Sequence, residues 1–117
     1  MKVKVITLGC KVNSYESEYI LSKFIDKNYE IVDNDADIYI INTCSVTNTS
    51  DAKSRKVINK IVREHPNAII VVMGCMIEAH KDYDNEKVSI IIGNKDKSKV
   101  VELVEEYLKR KKYYMII

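Results

Sequence analysis

Ile38-Tyr39-Ile40-Ile41-Asn42-Thr43-Cys44-Ser45-Val46-Thr47 is the stretch that decides the fold. Its first four residues are β-branched or aromatic and carry no charge, which suits a strand buried on both faces of a parallel sheet. Asn42-Thr43-Cys44 and the Ser and Thr residues after it are turn and helix-cap types, so the strand stops abruptly. Cys44 is therefore expected at the carboxyl end of a central strand, the rim where open α/β sheets bind ligands.

The same pattern occurs twice more. Val3 to Leu8 runs into Gly9-Cys10, and Ala68 to Met73 runs into Gly74-Cys75. These are the chain's three cysteines, and each follows a predicted strand.

Working outward, Lys2 to Leu8 is read as strand one. Asn13 and Glu16 resemble a capping box opening a helix that runs to about Asp26, with Ile20, Leu21 and Phe24 at core spacing. Tyr29 to Val32 is a short edge strand. A second helix starts near Thr49 or Ser50, with Asp51 in its first turn, and ends near His65 because Pro66 cannot continue it. Val57, Ile58, Ile61 and Val62 form its apolar stripe. Lys53, Lys56, Lys60 and Arg63 form a second stripe. A solvated surface is the preferred reading of these four cations, and a phosphate-tracking face is the other. Ala68 to Met73 and Val88 to Ile92 are further strands. A last helix starts near Lys97 or Ser98, with Val100, Val101, Val104, Tyr107 and Leu108 on its buried face.

Strands alternating with helices predict an α/β, three-layer fold with a five-stranded, mainly parallel sheet. It is flavodoxin- or Rossmann-like, with expected strand order 2-1-3-4-5. Strands one, three and four are then neighbours, about 4.8 Å apart. Cys10, Cys44 and Cys75 should gather on one rim.

The chain has 117 residues, 46% of them hydrophobic, enough for one domain with a real core. A net charge of +2, from 19 basic and 17 acidic side chains, is too mild to indicate nucleic-acid binding by itself. No apolar run reaches membrane-span length, so no membrane partner is expected. Three widely spaced cysteines without a secretion signal read as cytoplasmic thiols, not a disulfide framework.

Three thiolates from three loops can hold a soft metal centre. A cubane iron–sulfur cluster normally takes four cysteines, so three would leave one iron open. Zinc on three thiolates is the rival, although the chain lacks the short C-x-x-C knuckle that zinc sites favour. A non-catalytic binding module with structural, buried cysteines is the third reading. His65, before a proline at a helix end, reads as a surface capping residue. His80, close after Cys75, reads as solvent-exposed. Without a G-x-G-x-x-G or a P-loop, dinucleotide and NTP sites lack support.

Thr7-Leu8-Gly9-Cys10-Lys11-Val12-Asn13-Ser14-Tyr15-Glu16-Ser17, Asn42-Thr43-Cys44-Ser45-Val46-Thr47, Lys53-Ser54-Arg55 and Gly74-Cys75 together resemble the N-terminal domain of the radical-SAM methylthiotransferases. The resemblance spans essentially the whole chain. It implies an auxiliary [4Fe–4S] cluster held by Cys10, Cys44 and Cys75, whose open iron carries the sulfur or methylsulfide inserted into the substrate. It further implies a radical-SAM barrel in the same chain, with S-adenosylmethionine and a second [4Fe–4S] cluster, and a small RNA-binding domain. Residues 1–112 are expected to be the auxiliary-cluster domain and 113–117 the start of a linker to that barrel. The isolated domain is expected to be inactive. The Leu-Gly-Cys-Lys-Val-Asn wording resembles the subgroup acting on N6-threonylcarbamoyladenosine beside the tRNA anticodon, which implies the anticodon stem-loop as partner. Glu78 stands where the family often has Gln.

Overall fold

A computed structural model describes residues 1–8, 11–43, 48–74, 88–92, 99–110 and 114–116. Its elements are β1 (Lys2–Thr7), α1 (Lys11–Asp26), β2 (Glu30–Ile31), β3 (Ile38–Thr43), α2 (Asn48–Glu64), β4 (Ile69–Gly74), β5 (Ile90–Ile92), α3 (Val100–Arg110) and β6 (Tyr114–Ile116). The sheet is parallel throughout, in the order β2-β1-β3-β4-β5-β6. The expected α/β architecture and 2-1-3-4-5 order are therefore present, with a sixth strand added at the edge. That strand comes from the apolar tail, where Tyr114, Met115 and Ile116 pair with Ile90, Ile91 and Ile92. Pairing satisfies the backbone edge that β5 would otherwise leave open.

β3 and β4 are buried along their whole length. Their apolar residues split by alternation between two cores. Ile38, Ile40, Val71 and Met73 pack with Ile20 and Phe24 of α1 and with Val100, Val101, Leu103 and Val104 of α3. Tyr39, Ile41, Ile70 and Val72 pack with Ile58 and Val62 of α2. So α1 and α3 cover one face and α2 the other. The chain steps from β1 outward to β2, then crosses back to β3 and on to β4. The resulting reversal between β1 and β3 is the position at which doubly wound sheets open a crevice.

The helix stripes expected from periodicity are the buried ones. Ile20, Phe24, Ile58, Val62, Val100, Val101 and Val104 are buried, with Leu103 added. Leu21, Val57, Ile61, Tyr107 and Leu108 are half-buried. α1 begins at Lys11, so Asn13 lies within its first turn instead of capping it. α1 ends as expected, and the structure shows how. Asn28 adopts φ 67°, and the N–H of Tyr29 reaches back to Phe24 O at 3.0 Å. This is the six-to-one bond of a Schellman cap, for which asparagine is a tolerated left-handed residue. The apolar contact that accompanies such caps is present too, with Tyr29 edge-on to Phe24 at 5.0 Å.

Candidate functional site at the carboxyl-end rim

The carboxyl ends of β1, β3 and β4 finish at one level. Thr7 is the register partner of Asn42, and Thr43 is the partner of Gly74. Leu8, just past β1, still donates its N–H to Asn42 O at 2.9 Å. Three adjacent strand tips therefore stand side by side.

Polar side chains are buried at these tips. Asn42, Thr43, Ser17 and Ser54 are the buried polar residues among those described, and the first three belong to the tips or touch them. Thr7 Oγ1 donates to Ser17 Oγ at 2.7 Å, and Asn42 Nδ2 donates to the same oxygen at 3.3 Å. Ser17 lies on α1, so one hydroxyl joins that helix to both β1 and β3. Thr43 Oγ1 donates to Met73 O at 2.8 Å and ties β3 to β4. Buried polar groups are tolerated when paired in this way.

Gly74 makes the close fit between β3 and β4 possible. Its φ is +111°, and a Cβ placed on it would lie 2.6 Å from Thr43 O and 2.8 Å from Asn42 Oδ1. Any side chain would push the two tips apart. The glycine of the Gly74-Cys75 pair thus has a steric reason to stand beside the Asn42-Thr43 tip.

Cys10, Cys44, Cys75, Glu78 and His80 lie outside the described residues. Among the described residues no group of three or more His, Cys, Asp or Glu side chains is gathered as a metal site. His65 lies at the other rim, at the end of α2. It is half-buried, and its ring stacks on Tyr39 with centroids 4.5 Å apart. Sequence reasoning missed the roles of Ser17, Asn42 and Thr7. The available signal was polar residues closing otherwise apolar strands.

A sequence profile described as the uncharacterized protein family UPF0004 matches residues 2–93. The chain belongs to that family. Its UPF0004 segment covers β1 through β5 and all three strand tips. Among curated relatives, the chain is 37% identical over its full length to the threonylcarbamoyladenosine tRNA methylthiotransferase MtaB of Aquifex aeolicus, covering 30% of that protein. It is 42% identical over 86% of its length to the MtaB of Bacillus subtilis, covering 23% of that protein. It is 32% identical over 92% of its length to the tRNA-2-methylthio-N(6)-dimethylallyladenosine synthase of Methylacidiphilum infernorum, covering 25% of that protein. The chain thus spans less than a third of the length of each of these relatives. The resemblance read from the motifs and these relatives agree. Among the described residues no helix is long and apolar enough to cross a membrane.

Proposed function

We propose that this UPF0004 domain holds a [4Fe–4S] cluster on Cys10, Cys44 and Cys75, as part of a radical-SAM tRNA methylthiotransferase acting on N6-threonylcarbamoyladenosine next to the anticodon. One observation carries the reading: β1, β3 and β4 end side by side, with Thr43 opposite Gly74 and Leu8 bonded to Asn42. Cys44 and Cys75 each come one residue after a register partner, and Cys10 comes two residues after Leu8. Consecutive Cα atoms are about 3.8 Å apart, and these short sequence separations from adjacent strand tips support a shared site for the three thiols. Three thiolates are a fitting donor set for a cubane with one iron left open.

The chemistry such a group supplies when bound is a sulfur atom held ready for insertion at the iron without a protein ligand. The remaining residues prepare the rim. Ser17 fixes α1 to the tips of β1 and β3, and Thr43 bonds β3 to β4. Gly74 lets those last two strands end in contact. The relatives' names support a tRNA substrate, and the motif wording and the MtaB identities favour the threonylcarbamoyl nucleoside over the dimethylallyl one. Their greater length supports a barrel domain acting on the same substrate.

The test is anaerobic reconstitution with iron and sulfide. The wild-type chain should bind both and show thiolate-to-iron absorption. Cys44→Ala should lose stable assembly yet keep its fold, because the core consists of the buried strands and helix stripes. Wild-type iron and sulfide content in Cys44→Ala would overturn the assignment. Zinc retained without sulfide in the wild-type chain would do so as well.

A further inference from the structure

The solvent face of α2 is a run of cations that the cluster reading does not use. Lys53, Lys56, Lys60 and Arg63 are all exposed. At 100° per residue they fall within about 80° of helix arc, and they extend along about 15 Å of helix. With Val57 and Asn59 they line a concave surface. Among the α2 residues whose side chains are described, Glu64 is the one carboxylate, at the last position of the helix. Among the described residues no ion pair neutralises any of the four.

A face that merely needs solvation would mix its signs, as the other helices do. α1 pairs exposed Glu18 and Asp26 with half-buried Lys23, and α3 exposes Glu102, Glu106 and Lys109. The whole chain carries only +2, so the α2 stripe is a local concentration of charge. Its position adds meaning. α2 begins at Asn48, four residues after Cys44, and runs from the carboxyl-end rim down the sheet. The stripe starts at Lys53, about one and a half turns into the helix that leaves that rim.

We infer that the α2 face formed by Lys53, Lys56, Lys60 and Arg63 binds the phosphate backbone of the substrate RNA and leads it to the carboxyl-end rim. This rests on the proposed function for the identity of the RNA. The cations line up along one direction, as a phosphate strand does, and Asn59 in the concavity offers a hydrogen-bonding group between them. Phosphate contacts of this kind position a nucleic acid without reading its sequence.

The experiment measures binding of an unmodified anticodon stem-loop RNA to the chain without metal, by fluorescence anisotropy over a salt series. Two variants with equal loss of charge are compared. One carries Lys53→Gln, Lys56→Gln, Lys60→Gln and Arg63→Gln. The other carries Lys2→Gln, Lys27→Gln, Lys99→Gln and Lys109→Gln, which are exposed elsewhere. Circular dichroism verifies that both are folded, and single substitutions at Lys56 and Lys60 replace the fourfold α2 variant if it is not. Four lost phosphate contacts should flatten the slope of log K against log salt by about 3, or by about 0.8 per single substitution. The control variant should keep the wild-type slope. Equal flattening in both variants, or no measurable binding by the wild-type chain at low salt, would overturn the inference. Equal wild-type affinity for poly-glutamate would assign the face to an acidic protein and overturn the RNA assignment. The measurement needs no cluster, so failure of cluster loading with the α2 effect intact would strike only the proposed function. Normal loading with an unchanged slope would strike only this inference.

Discussion

The two ends of the sheet are held together by different means. At the amino end, the backbone does most of the work. Asp37 accepts from Lys2 N through Oδ2 at 3.0 Å, donates its own N–H to Lys2 O at 2.9 Å, and accepts from Ile69 N at 2.9 Å. One residue before β3 thus joins the starts of β1 and β4. The Tyr39 hydroxyl accepts the Ala36 N–H at 3.2 Å and approaches His65 Nδ1 at 3.5 Å, as a supplement. At the carboxyl end, particular side chains are required. Ser17 receives two hydrogen bonds, Thr43 bridges two strands, and position 74 admits no Cβ. An end joined by backbone tolerates many residues, because every residue except proline carries the same N–H and C=O. An end joined by buried side chains and a forced glycine tolerates few. The specified end is the one that leads into the three cysteines.

Gly74→Ala should break this contrast most severely. The methyl group would collide with the Thr43 backbone, and φ +111° is itself strained for any L side chain. A loss of about 2–4 kcal/mol in urea unfolding is expected. A loss below about 0.5 kcal/mol, within the range of ordinary surface substitutions, would show that the tips are not in contact.

A paired comparison sharpens it. Ser17→Ala leaves Asn42 and Thr7 without their shared acceptor, and should cost about 1–3 kcal/mol. Tyr39→Phe keeps the ring stacked on His65 but removes the acceptor of the Ala36 N–H at 3.2 Å and the 3.5 Å contact with His65 Nδ1, so about 1 kcal/mol is expected. Equal values from the same denaturation experiment would mean that both ends depend on side chains alike.

The smallest effect belongs to Tyr29, which precedes β2 on the amino-end side. Burial raises its phenol pKa above the usual 10.0, and the nearby Glu105 carboxylate adds to that. The folded state therefore favours the neutral phenol. The corresponding stability is fully present below the ordinary value and is lost as pH rises through the folded-state value. Tyr29→Phe should flatten the alkaline limb of the stability curve relative to wild type. Superimposable curves above about pH 10 would remove this contribution.

Much of this molecule was legible from local pattern. The unbroken apolar runs Ile38 to Ile41 and Ile69 to Met73 required strands covered on both faces, and helices between strands required a parallel sheet. Helix stripes named their buried residues through the 3.6-residue period. The tail strand Tyr114–Ile116 was not legible, because pairing depends on an open edge at β5 that only the assembled sheet presents. Nor was His65, whose stacking partner Tyr39 is distant in sequence and is brought near when α2 folds over β3. The sequence by itself determined the layers, the strand order and the positions of Cys10, Cys44 and Cys75 after three strand-forming runs. Hydrophobic periodicity and turn chemistry are properties of neighbouring residues, so they can be read without coordinates. Only the tertiary structure decided that Thr43 stands opposite Gly74, that no Cβ fits there, and that Ser17 joins α1 to two strands. Those contacts depend on the register between segments far apart in the chain, and register is settled when the two cores pack against the sheet.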